Sequence, residues 1–157
     1  MTGTYAAAVQ RILIGRQMAS VGGFVALVGT FLPWLRSGTR RRNSYEIFSL
    51  VDRLGFSPSS VVGWGLRLWP IVPLLLAAAV TLLWFPRGWL TGVAVAVAVI
   101  YTGSVSAAVR SASSTFLIAI QVGPTVTLVG AITLAAGSIL AMVRYARPRE
   151  TRAPPAR

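Results

Sequence analysis

The sequence contains no cysteine and no histidine. Without cysteine there are no disulfides, no thiolate metal sites and no cysteine nucleophile. Without histidine the usual general base and the commonest metal ligand are gone. Lysine is missing too, so all fifteen basic residues are arginine. Carboxylates are scarce: Glu46, Asp52 and Glu150 make up the whole acidic complement. Glu46 and Asp52 are six apart, which sets them on different faces of a helix rather than in a paired-carboxylate site. No serine–histidine pairing and no phosphate-binding loop can be assembled. The expectation is therefore a non-catalytic protein with no cofactor and no metal.

Charge is also in short supply. Charged residues are 11% of the chain, against roughly 25% in soluble domains. Hydrophobic residues reach 55%, so lipid rather than water is the expected solvent. The net charge of +12 raises nucleic acid as a partner. No soluble basic domain exists to carry that role, and arginines flanking membrane spans account for the charge. We expect no nucleic-acid binding.

What is present is a succession of apolar runs. Residues 1–18 read as a juxtamembrane or interfacial helix, with Thr4 as a candidate N-cap and Ala6 to Ala8 favouring helix. No small-residue cleavage site follows, so it is not read as a signal peptide. The membrane domain is expected over residues 19–143, with spans at about 19–35, 64–85, 89–109 and 124–143. In the first, Pro33 and Trp34 mark the exit, with Trp34 at head-group depth. Pro70 and Pro73 leave two options for the second: a start near Trp69 or a kinked helix. Trp84 and Trp89 bracket the turn between spans two and three. The alternating VAVAVAV of the third imitates a strand, but a lone strand in lipid would leave its backbone unpaired. The tail, residues 144–157, is read as disordered and basic.

Small residues recur at helical spacing and are candidate helix-packing positions: Gly22, Ala26, Gly29, Gly92, Ala96, Gly103, Gly130 and Gly137. Gly130 and Gly137 match the spacing of Gly22 and Gly29.

The one markedly polar stretch runs from Arg36 to Leu68. Asn43 followed by Glu46 resembles a capping box. Ile47, Val51 and Leu54 form one face of an amphipathic helix over residues 44–54, with Gly55 suited to its C-cap. Arg42 and Glu46, four apart, are placed to pair. Arg40, Arg41, Arg42, Asn43, Tyr45 and Glu46 form the candidate surface for an anionic lipid head group or a protein partner, because arginine forks match phosphate oxygens. Arg36, Arg53 and Arg67 read as ordinary flanking charges.

The run PWLRSG, followed by RNSYEIF and VDRLGF, resembles that of a group of uncharacterised small four-span integral membrane proteins of actinobacteria. The resemblance covers the first span, the loop after it and the spacing of the rest; it implies a cell-membrane location and no activity. The expected fold is all-α: a four-helix transmembrane bundle with a short amphipathic helix in the first loop. The expected function is an accessory or scaffold subunit of a larger membrane assembly, partnered by lipid and by other membrane subunits. The alternative is a lipid-handling or transport component that binds an anionic head group through the arginine-rich loop. Four spans put both termini on one side. Arginines divide almost evenly between the two sides, and the dense cluster in the tail places both termini in the cytoplasm.

Overall fold

The computed structural model describes residues 2–37, 39–53, 67–85, 89–112 and 119–142. Gly55 as a cap, the turn over residues 55–63, the turn at residues 86–88 and the basic tail lie outside the described residues.

The first helix, α1 (Thr2–Phe31), is continuous. The expected juxtamembrane helix and first span are one rod of about 45 Å at the α-helical rise. That rod is longer than a bilayer core of about 30 Å. Nothing between Arg11 and Ala19 breaks a helix: Gly15 is the weakest former there, and packing against another helix compensates for it. The rod ends earlier than expected. Leu32 is already outside it, and Pro33–Ser37 forms a strand, β1. Arg40–Asn43 forms β2, which returns antiparallel to β1, and α2 (Ser44–Arg53) follows.

A 3-10 turn at Trp69–Ile71 leads into α3 (Val72–Trp84). Pro70 and Pro73 each occupy an opening position of their element, where no backbone N–H is needed. Within the described residues the helix that follows the prolines is therefore unbroken; residues 64–66 of the expected span lie outside the described residues. The described part is short, about 25 Å over the 3-10 turn and helix together. α4 (Trp89–Ala112) and α5 (Val122–Met142) follow, with a two-residue strand, β3 (Ala119–Ile120), between them.

Among the described residues three helical segments are long and apolar enough to cross a membrane: Val9–Phe31, Trp89–Arg110 and Val122–Met142. Trp69–Trp84 is a shorter apolar helix. α1 packs on α5, α5 on α4, α4 on α3 and α3 on α1. Phe24, Phe31, Leu74, Ile100, Ile132 and Ile139 point outward and are exposed.

The all-α expectation needs correction, because a small sheet with strand order β2-β1-β3 sits at one end of the helices. The chain leaves α1 there and enters α3 and α5 there. Its backbone polar groups lose helical partners at that point and must find others. Strand pairing supplies them, and the Gln121 amide adds a hydrogen bond to the Trp34 carbonyl at 3.0 Å.

α1 and α5 touch backbone to backbone along a seam with a three-four spacing. Gly15 faces Ala141, Ala19 faces Gly137, Gly22 faces Leu134, Ala26 faces Gly130 and Gly29 faces Thr127. A Cβ on Gly15 would stand 2.7 Å from the Ala141 backbone nitrogen, and one on Gly137 2.8 Å from the Gly15 carbonyl oxygen. No side chain fits there. Gly22, Ala26, Gly29, Gly130 and Gly137 all lie on this seam, and Gly15 extends it by two turns.

α4 is different. Gly92 and Gly103 have no atom within 4 Å of where a Cβ would stand, and Ala96 is exposed. Among the described residues nothing packs against them. The buried face of α4 carries Thr91, Val95, Ala98, Thr102 and Ser106. That face is offset by one position, or about 100° of helix, from the small-residue face.

Candidate functional site

The arginine-rich stretch lies on the sheet. In the β1–β2 register Leu35 is opposite Arg42, Arg36 opposite Arg41, and Ser37 opposite Arg40. β3 sets Ile120 opposite Leu35 and Ala119 opposite Arg36. Directly opposed residues share a face and stand about 5 Å apart at Cβ. Arg36 and Arg41, both exposed, therefore share one face, and half-buried Arg42 sits on the other with half-buried Leu35. Arg40 is exposed as well.

The remaining candidates serve the fold. The Asn43 amide donates to Glu46 Oε2 at 3.3 Å, and the Glu46 amide donates to Asn43 Oδ1 at 2.9 Å. This reciprocal capping box starts α2. It also engages the Glu46 carboxylate, and Arg42 lies on a strand rather than a helix. The two are therefore not an i, i+4 pair along one helix. The Tyr45 hydroxyl is 3.2 Å from Thr30 Oγ1, and its ring lies 5.2 Å from that of Phe31. Tyr45 ties α2 to the end of α1.

Beneath the sheet is a buried aromatic cluster. The register of β1 slips between Pro33 and Leu35, and this bulge turns Trp34 inward. Trp34 is fully buried, not a head-group anchor, and its indole N–H donates to the Gly29 carbonyl at 2.9 Å. Gly123 leaves it room: a Cβ there would lie 2.8 Å from the indole nitrogen. Trp34 meets Trp69 edge-on at 5.1 Å, and Phe48 lies 4.9 Å from Trp69. Tyr101 of α4 approaches Trp69 at 6.0 Å.

The Trp69 indole N–H donates to Ser44 Oγ at 2.9 Å, and Ser44 Oγ donates to the Thr30 carbonyl at 2.6 Å. Among the described residues no buried side-chain nitrogen or oxygen lacks a partner. Ser44 and Phe48, one turn apart, form the inner face of α2, with Tyr45 and Ile47 beside them. Val51 and Leu54, expected on that face, have side chains outside the described residues.

Near the ends of α4 and α5, an open depression of about 370 Å³ is lined by Arg110, Ile120, Gln121, Val122 and Thr125. Arg110 donates to Thr125 Oγ1 at 3.2 Å across it. No group of three or more metal-ligating side chains occurs among the described residues.

Sequence reasoning missed Arg36 as the partner position of Arg41. It also missed the contacts that join Trp34, Ser44 and Trp69. A signal for the first was available, since only two positions, one of them a glycine, separate Ser37 from Arg40, which is hairpin spacing. Three consecutive arginines show none of the alternation of apolar and polar residues that marks a strand, and this masked it.

Comparison of the chain with family models, with curated proteins and with solved structures finds no match.

Proposed function

We propose that the chain is a non-catalytic, multi-pass protein of the cell membrane that serves as an accessory or scaffold subunit of a larger membrane assembly. In this reading α3 crosses the bilayer with the three longer helices, which makes a four-helix transmembrane bundle. The likeness to small actinobacterial four-span proteins supports the membrane location and the four spans, and carries nothing for the subunit role.

The observation that supports it is the open small-residue face of α4. Gly92, Ala96 and Gly103 fall on one side of that helix, and among the described residues nothing packs against that side. Small residues let helix backbones approach closely in lipid, where dispersion and weak polar contacts drive association. The short α3 adds to this, because a span shorter than the bilayer core is accommodated by thinning or by oligomerisation.

The test is native electrophoresis of membranes solubilised in mild detergent. The wild-type chain should migrate in a species larger than itself. Gly92→Leu with Gly103→Leu should release it while its own melting temperature holds. Migration of the wild type as a lone chain would overturn the reading.

A further inference from the structure

We infer that Arg40 and Arg42, on one face of β2, hold the phosphate of an anionic phospholipid whose glycerol backbone lies over Leu35 and Ile120. The inference rests on the membrane-spanning part of the proposal above, but not on the scaffold role.

Side chains two apart on a strand stand on the same face, so Arg40 and Arg42 lie together, about 7 Å apart along β2. The β1–β2 register sets half-buried Leu35 opposite Arg42, and β3 sets half-buried Ile120 on the far side of Leu35. One row across the sheet therefore reads Arg42, Leu35, Ile120, with neighbours about 5 Å apart. Leu35 packs against the buried aromatic cluster, and Arg40 stands exposed two residues farther from α2. The face thus passes from apolar at Ile120 and Leu35 to cationic at Arg42 and Arg40. A phospholipid has the same order, from its acyl esters to its phosphate. Guanidinium stays protonated at any ordinary pH, and its fork of N–H donors matches phosphate oxygens. Among the described side chains the one carboxylate, Glu46, accepts from the Asn43 amide in the capping box of α2. Arg36, which has an interaction of its own, lies with Arg41 on the opposite face and takes no part.

Position selects a lipid as the source of the phosphate. β1 begins two residues after α1, whose last segment, Val9–Phe31, is long and apolar enough to cross a membrane. Trp69 bonds to Ser44 and Gln121 bonds to Trp34, so α3 and α5 are entered at the same end. The sheet is therefore held in the head-group layer of one leaflet, where anionic lipids attract arginine. Free phosphate in bulk water and an acidic protein segment lack the apolar part that Leu35 and Ile120 are placed to cover.

The experiment uses the full chain in nanodiscs of phosphatidylcholine alone, or of phosphatidylcholine mixed with phosphatidylglycerol. Melting temperature and lipid retained in native mass spectrometry are read. Phosphatidylglycerol should raise the wild-type melting temperature by mass action on the folded state, and should be retained. Arg40→Gln with Arg42→Gln should abolish the rise and cut retention on the order of tenfold. In pure phosphatidylcholine this variant should melt no lower than wild type, because two like charges leave one strand face; this also shows that it folds. If it melts lower, Arg40→Gln alone, at an exposed position, carries the same test with a smaller loss. Arg41→Gln with Arg11→Gln removes the same charge from the other face of the hairpin and from α1, and should leave the effect intact.

No rise in wild type overturns the proposal. An equal loss in the two double variants means that net charge alone draws the lipid, and overturns the assignment to this face. Inorganic phosphate or glycerol phosphate producing the same shift in pure phosphatidylcholine overturns the lipid assignment. A polyglutamate peptide that displaces phosphatidylglycerol and is retained in its place overturns it in favour of a protein partner. Extraction of the chain from vesicles by alkaline carbonate removes the membrane reading itself. A chain that stays in the vesicles and ignores phosphatidylglycerol removes the lipid site alone.

Discussion

The Trp69 indole nitrogen and the Ser44 hydroxyl, 2.9 Å apart, join the entry of α3 to the start of α2 in a fully buried contact. Ser44 passes the connection on to the Thr30 carbonyl at the end of α1. Three separate segments thus meet at one hydroxyl. Ser44→Ala should cost about 1–3 kcal/mol, because it strands a buried indole N–H. Adding Trp69→Phe to Ser44→Ala should cost less than the two single changes summed, since the stranded donor is then gone. Thermal unfolding of the four forms in detergent checks this, and strict additivity would refute the coupling.

The glycine seam predicts a sharp asymmetry between helices. Gly22→Leu or Gly130→Leu drives a side chain into the facing backbone, and overpacking of this kind costs about 1–3 kcal/mol or more. Gly103→Leu meets open space and gains helix propensity, so the purified chain should be unchanged or more stable by about 0.5–1 kcal/mol. Melting temperatures of the three variants in one detergent decide the point.

The hairpin register can be read chemically, because the chain has no cysteine of its own. Arg36→Cys with Arg41→Cys sets two thiols on one face, within the Cα separation that a disulfide spans, about 4.4–6.8 Å. Arg36→Cys with Arg42→Cys sets them on opposite faces. Mild oxidation should close the first pair and leave the second reduced, as scored by thiol labelling and mass. Equal closure of both would mean that β1 and β2 do not hold this register.

Both termini are expected in the cytoplasm. A C-terminal fusion to a reporter that works only in the cytoplasm should be active, and a fusion to one that works only outside should be silent. The reverse pattern would invert the orientation and place the hairpin on the cytoplasmic leaflet.

Much of this architecture is visible in the residues alone, for identifiable reasons. A helix in lipid must be long and apolar, so the third and fourth apolar runs found their helices to within a few positions. Glycines seven apart on two runs had matching spacing, and the structure sets those two stripes of α1 and α5 against each other. The Asn43 and Glu46 spacing carried the start of α2. The sheet stayed hidden because its pairing is nonlocal: β3 is two residues long and joins β1 across most of the chain. Trp34 was misplaced for a related reason. A tryptophan at the end of an apolar run looks the same whether it faces lipid or turns inward at a bulge. The small residues of α4 show the limit of periodicity, which finds a face without saying what lies against it.

The glycine seam also fixes when the protein can be finished. α1 precedes α5 in the chain, so in the membrane reading proposed above the bare glycine stripe of α1 is made well before its complement. In that interval the exposed backbone is open to any other small-residue helix nearby. A ribosome that stalls before residue 122 leaves an intermediate that cannot close. Such truncated chains should be the form that membrane proteases remove first.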